Sequence, residues 1–169
     1  NAIVWQCRRG EGICSELEAA GHGPRVQSLT GLKIDTYFPA SKLRWLLEAR
    51  PDLRHKLADG SALFGTIDTY LIYRLTNCQV YASDHTNASR TLFYDIHQLG
   101  WNPELLELFG IETDRLPEIR ESKAAYGETD LQGWLAQSLP ICGVMGDSQA
   151  ALFAQKCFTP GSAKVTFGT

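Results

Sequence analysis

The chain has 169 residues, 44% of them hydrophobic and 21% charged, which suits one globular domain with its own core and excludes a disordered chain. Its formal net charge is −3 and its sixteen Lys and Arg residues are scattered, which excludes a nucleic-acid backbone as the expected partner. No apolar stretch approaches the roughly 18 residues of a membrane span and no secretion signal opens the sequence, so a soluble, cytoplasmic protein is expected, with no membrane partner.

In chain order, the apolar residues 2–5 read as the end of a buried strand. From Gly12 to Ala20, the residues Ile13, Leu17 and Ala20 fall at helical spacing, and Gly21 stops that helix. Ser41 is placed to cap a helix running to about Arg50, with Leu43, Leu46 and Leu47 inward and Pro51 just beyond. A third helix is expected from Gly65 to Leu75, where Ile67, Leu71 and Leu75 stand four apart. Short strands are expected over Gln79–Tyr81 and Thr91–Tyr94, separated by the polar run "SDHTNASR". Asn102 and Pro103 open a short helix through Phe109, which Gly110 ends. Ile141 to Met145 reads as a buried strand, Ser148 to Cys157 as a helix, and Ala163 to Phe167 as a last strand halted at Gly168 and Thr169. Strands alternating with helices predict an α/β layer fold. The sequence opens on Asn1 rather than Met and stops at a turn, so a fragment of a longer protein, with an incomplete site, is expected.

Five cysteines (Cys7, Cys14, Cys78, Cys142, Cys157) without a CxxC pair indicate neither a disulfide framework nor a zinc site; reduced and mostly buried side chains are expected. The histidines show no metal spacing. Asn87-Ala88-Ser89 fits the glycosylation sequon but reads as a polar turn. Arg8 and Arg9 read as solvated or ion-paired. The acid that stands out is Asp147, which follows a glycine and lies between an apolar run and a helix-like run. It reads either as a helix N-cap, stabilised by the helix dipole, or as a general base at the carboxyl end of a strand, where α/β sheets bind ligands. A capping Asp can still present one oxygen to a substrate, so the two readings are compatible. Taken alone, Trp5 and Tyr37 read as core aromatics.

Six segments, "NAIVWQCRR", "GLKIDTYFPASKLRWLLE", "LFGTIDTYLIYRLT", "HTNASRTLFYDI", "LPEIRESKAAYGET" and "GDSQAALFAQ", resemble in order the glycerol kinases of the FGGY carbohydrate kinase family. Tyr37-Phe38-Pro39, Lys42 and Trp45 fit one family signature, departing at its last position, where Ala49 stands. The resemblance thins over 21–26 and 130–138. It implies an actin-like, ribonuclease-H-type α/β fold, with residues 1–169 forming a single fragment from the later part of the N-terminal domain, without the nucleotide-binding C-terminal domain. It further implies transfer of the γ-phosphoryl group of ATP, with Mg2+, to a hydroxyl of glycerol or a related polyol. Matched by motif, Asp147 falls on the catalytic base, Tyr37 on a glycerol contact, Trp5 on an aromatic wall beside the polyol carbons, and Gly168 with Thr169 on the turn that touches the nucleotide phosphates. Ser148 takes the substrate-binding place where many members carry Gln, which shortens the reach to the substrate. A kinase for another polyol or sugar, or a non-catalytic polyol-sensing or scaffold relative, is therefore the alternative. The family's Asp-Gly-Thr phosphate loop and its glycerol-holding Arg-Glu pair have no counterpart in these residues, so the fragment alone is expected to be inactive. A homo-oligomer stays open.

Overall fold

A computed structural model describes residues 2–112 and 115–167. Helix α1 (Glu11–Ala19) turns Ile13, Cys14 and Leu17 inward, and α2 (Gly23–Thr30) follows at once. Helix α3 (Pro39–Ala49) starts two residues before the predicted Ser41, because Phe38 is extended (φ −88°, ψ 154°) and Pro39, with its fixed φ, takes the first helical position. Ser41 is thus a buried residue of the first turn rather than the cap. Gly10 is required where α1 and α3 approach: a Cβ there would lie 2.8 Å from Ser41 Oγ and 2.9 Å from its carbonyl carbon.

Pro51 does not simply stop α3; it opens a further helix, α4 (Pro51–Asp59). Neither α2 nor α4 was expected, since α2 buries only Val26, Leu29 and Thr30 and α4 only Leu57, too few apolar positions to make a period. Helix α5 (Ile67–Leu75) exists as predicted with a different inward face: Thr69 and Ile72 are buried, while Ile67 and Leu71 are exposed.

Strand β1 (Ala82–Asp84) lies three residues beyond the predicted one and runs into a single helical turn, α6 (His85–Ala88). Strand β2 (Tyr94–Asp95), the end of the expected 91–94 segment, pairs antiparallel with β3 (Gly100–Trp101). Helix α7 (Pro103–Leu108) is as read, with Asn102 Oδ1 accepting from the Leu105 N–H at 3.2 Å. Strand β4 (Glu118–Arg120) pairs parallel with β1, and β5 (Glu128–Thr129) antiparallel with β6 (Leu139–Pro140). Helix α8 (Asp147–Ala154) starts one residue early, ends three residues early and buries no side chain.

Three predicted strands are absent. Residues 2–5, 141–145 and 163–167 carry strand-like sequences, yet among the described residues none lies in a ladder. Trp5, Val165 and Phe167 are largely exposed, because an apolar run forms a strand only where a neighbour accepts its hydrogen bonds. Residues 141–144 come nearest: Ile141 N–H bonds to Gly127 O at 2.8 Å, and Val144 N–H to Ser122 O at 2.9 Å. All five cysteines are free, but only Cys14 is buried. No described helix is long and apolar enough to cross a membrane.

Two clusters make the core. The larger joins α1, α2, α3 and α4 to α7 through Phe93, which is wholly buried between Phe64 and Phe109 at centroid distances of 5.8 and 5.9 Å. Burial of such a side chain stabilises the fold by about 1.5–3 kcal/mol. The smaller holds Ile72, Ala82 and Tyr126, with Ile141 and Val144 packed on it. Burial pushes the Tyr126 hydroxyl up to about 12, so it stays a donor, to Glu121 O at 2.9 Å.

Asp84 ends β1 beside this second cluster and is wholly buried. Its Oδ1 accepts from the Asn87 N–H (3.0 Å) and Nδ2 (2.7 Å); its Oδ2 accepts from Thr86 N–H (3.1 Å), Thr86 Oγ1 (2.6 Å) and Ser122 Oγ (2.7 Å). Burial alone would raise this carboxyl's pKa, but the hydrogen bonds from Ser122, Thr86 and Asn87 outweigh it, and the net displacement is downward. The stabilisation is therefore fully present above the unfolded-state pKa of about 3.9 and is lost as pH falls through the lower folded value. In the intact protein, Asp84→Asn turns an amide N–H toward donors and is expected to cost about 1–3 kcal/mol near neutral pH. The reading is a shift of the urea midpoint that narrows in acid below the usual carboxylate range. An unchanged midpoint would contradict the role given to Asp84.

Candidate active site

Two groups of side chains carry the expected chemistry. In the first, Lys42 on α3 donates from Nζ to the carbonyls of Trp5 (3.1 Å) and Tyr37 (2.9 Å). These bonds draw the N-terminal segment against the turn before α3, and the Trp5 and Tyr37 rings meet at 5.7 Å between centroids with their planes tilted by 54°. The Tyr37 ring stands edge-on to buried Phe38 at 5.2 Å, while its N–H donates to Asp35 Oδ1 at 2.6 Å. Trp5 is 61% exposed and Tyr37 49%, so neither is a core residue, contrary to what their types alone suggest. Burial pulls the Lys42 ammonium below its usual pKa, with Cys7 and Asp35 opposing. Arg8 pairs with Glu11, and the Arg9 guanidinium lies 4.0 Å over the Trp45 ring; both arginines hold the segment that carries Trp5.

The second group surrounds Asp147. Gly146, not Asp147, is the N-cap of α8 (φ −61°, ψ 146°), and Asp147 is the first helical residue. Its Oδ1 accepts from the Ser148 N–H at 2.6 Å, and its Oδ2 has no partner among the described residues. The carboxylate is exposed, at the positive end of a helix. The Ser148 hydroxyl is also exposed and makes no hydrogen bond among the described residues. Just before the helix, Gly146 N–H donates to Thr86 Oγ1 at 2.7 Å, joining this turn to the Asp84 cluster.

Trp5 with Tyr37, and Asp147 with Ser148, are thus each brought together. No hydrogen bond or ring contact links the two pairs among the described residues, and Gly168 and Thr169 lie outside those residues. Asp84, Thr86 and Ser122 were not singled out from the sequence, nor was the clamp made by Lys42. A signal was available in "SDHTNASR": an Asp at the head of a short polar run is an N-cap pattern, its carboxylate placed to accept from the N–H groups two and three residues on, here Thr86 and Asn87. Asn87 of the sequon sits in α6 with its amide turned toward Asp84. A depression of about 480 Å³, lined by Arg44, Glu48, Arg54 and Glu107 among others, lies away from both pairs and has mixed charge. No group of three or more His, Cys, Asp or Glu among the described residues is arranged to hold a metal ion. A Mg2+ that accompanies a nucleotide is commonly held by one or two carboxylates and the substrate phosphates, so these residues supply no complete cage for it.

Comparison with known proteins places the arrangement in a family. The chain is 50% identical to the glycerol kinase of Carboxydothermus hydrogenoformans over 169 residues, which is 100% of this chain and 34% of that protein. Among solved structures, glycerol kinase of Plasmodium falciparum with ADP superposes with a TM-score of 0.87 at 37% identity, covering 94% of this chain and 31% of that one. The ligand-bound xylulose kinase of Lactobacillus acidophilus gives 0.78 at 21% identity, covering 92% and 31%, a likeness of fold alone. The fold is that of these actin-like kinases, and the chain spans about a third of the length of the curated relatives it matches. Residues 1–154 match the N-terminal domain of the FGGY family of carbohydrate kinases, and the chain belongs to that family.

Proposed function

We propose that the whole protein is a cytoplasmic glycerol kinase, in which this chain is the later part of the N-terminal domain and supplies the acceptor side of the site. The observation that carries the reading is Asp147: one carboxylate oxygen is held by the Ser148 N–H and the other is open at the start of α8. As the acceptor hydroxyl forms its bond to the γ-phosphorus of ATP, Asp147 takes the hydroxyl proton, the bond from that phosphorus to the β–γ bridging oxygen breaks, and ADP leaves with the oxygen and the electron pair. Phosphoryl transfer asks for little covalent chemistry from the protein, so positioning and one proton acceptor suit what is present. Trp5 and Tyr37 form a wall for the carbon face of the polyol, with the Tyr37 hydroxyl available to an oxygen of the substrate. The Ser148 hydroxyl, direct or through water, takes the place of a longer amide. Gly168 and Thr169 are assigned to the turn beside the nucleotide phosphates.

Glycerol is favoured over a related polyol because relatives of that name share about half of their residues with this chain throughout its length, against 21% for the xylulose kinase. The ADP of the Plasmodium falciparum neighbour supports an adenine nucleotide as donor, and Mg2+ would neutralise its phosphates. The phosphate loop and the adenine-binding domain are assigned to other parts of the protein, so the 169 residues alone are inactive in this reading.

Two substitutions in the full-length protein test it. Asp147→Asn keeps the shape and a helix-start oxygen, so the melting temperature is expected to stay near that of the wild type, while kcat falls by about 10²–10⁴, the usual contribution of a positioned acid or base. Near-normal kcat in a coupled ADP assay would remove Asp147 from the chemistry. Tyr37→Ala is expected to raise KM for glycerol by about 10- to 100-fold, equivalent to roughly 1.4–2.8 kcal/mol of contact, with little change for ATP. An unchanged KM for glycerol in a folded variant would make Tyr37 a structural residue only.

A further inference from the structure

We infer that Thr86, far from Asp147 in sequence, is a positioning residue for it. The direction of each bond follows from the groups themselves. Gly146 N–H can only donate, so Thr86 Oγ1 accepts from it at 2.7 Å. An ionised carboxylate can only accept, so the same hydroxyl gives its own hydrogen to Asp84 Oδ2 at 2.6 Å. The hydroxyl is therefore fixed on both sides, between a wholly buried carboxylate and the residue next to Asp147. Helix α8 buries no side chain in this chain, so no packed face of its own sets its start here. Two backbone ties do: Gly146 to Thr86, and Val144 to the Ser122 carbonyl at 2.9 Å, with the Ser122 hydroxyl also bound to Asp84 at 2.7 Å. Asp147 thereby inherits its position from β1 and β4, which pair through Asp84 and Arg120. Its place is set by the fold behind it as well as by its own helix.

The inference rests on Asp147 being the base, and the test separates the two. In the full-length kinase, Thr86→Val removes the hydroxyl at nearly constant shape and is expected to lower kcat by about 10- to 100-fold, the loss that a misplacement of the order of 1 Å brings. KM for ATP should stay close to wild type, while the melting temperature falls modestly, because Asp84 loses one of its five donors. Thr86→Ser, which keeps the hydroxyl, should restore most of the rate. In an Asp147→Asn background, Thr86→Val should lower kcat no further, because a misplaced base has nothing left to lose. If Thr86→Val does not fold, Thr86→Ala is read in its place. Normal kcat in Thr86→Val alongside a crippled Asp147→Asn overturns the positioning role alone. Equal losses in both backgrounds, or no rescue by Ser, reduce Thr86 to a structural residue. Near-normal kcat in Asp147→Asn removes the base, and this inference with it.

Discussion

The carboxylate of Asp84 is the constraint on which the rest of the candidate site depends. A lone ionised acid in an apolar interior is among the costliest groups a fold can contain, and it persists only when hydrogen bonds replace its water. Here five donors do so, from Thr86, Asn87 and Ser122. Supplying them dictates local structure: the chain turns at once from β1 into α6, and the segment after β4 brings Ser122 across. The extended residues before α8 then attach to both, through Ser122 and Thr86. The exposed Asp147 stands at the far end of this chain of bonds, which gives an otherwise solvent-facing side chain a fixed origin.

The Trp5–Tyr37 pair is held by a different device. Lys42 is 6% exposed and spends its ammonium donors on two main-chain carbonyls rather than on an acid, so the charge organises backbone without creating a local ion pair. Packing then does the rest: Tyr37 leans on Phe38, which belongs to the larger core, while Trp5 and Tyr37 themselves stay exposed. In the proposed role, an aromatic pair with one phenolic hydroxyl suits a small polyol, whose carbons need an apolar contact and whose oxygens need donors and acceptors. The two groups are anchored to different cores, the Trp5–Tyr37 pair to the larger cluster and the turn before Asp147 to the smaller one.

Legibility from sequence followed the physics of each signal. Helices α1, α3, α5 and α7 carry apolar periods or cap residues, and all were readable, α3 and α5 with errors of start or face. Helices α2 and α4 were not, because they bury few side chains. The strand-like runs at 2–5, 141–145 and 163–167 share the composition of strands, but a strand also needs a neighbour, which composition does not report. Tyr37 is reached only through segment resemblance, since its type alone suggests a core aromatic; Asp147 stands out from its position as a cap or a general base, and the resemblance points to the second. The structure makes Asp147 the residue after the cap and leaves Tyr37 exposed. Asp84, Thr86 and Ser122 went unnoticed because their partnership spans 38 residues of sequence, and a run of small polar residues reads as a loop until a buried acid is found at its head.

The central claim is that the Asp84–Thr86 pair holds the backbone immediately before Asp147. The most direct measurement is hydrogen–deuterium exchange at the Gly146 amide, followed by NMR in the intact protein. If the Thr86 hydroxyl accepts that N–H, the amide exchanges much more slowly than its sequence dictates, and loses that protection in Thr86→Val while the β1–β4 amides keep theirs. A Gly146 amide that exchanges at the unprotected rate in the wild-type protein would contradict the account.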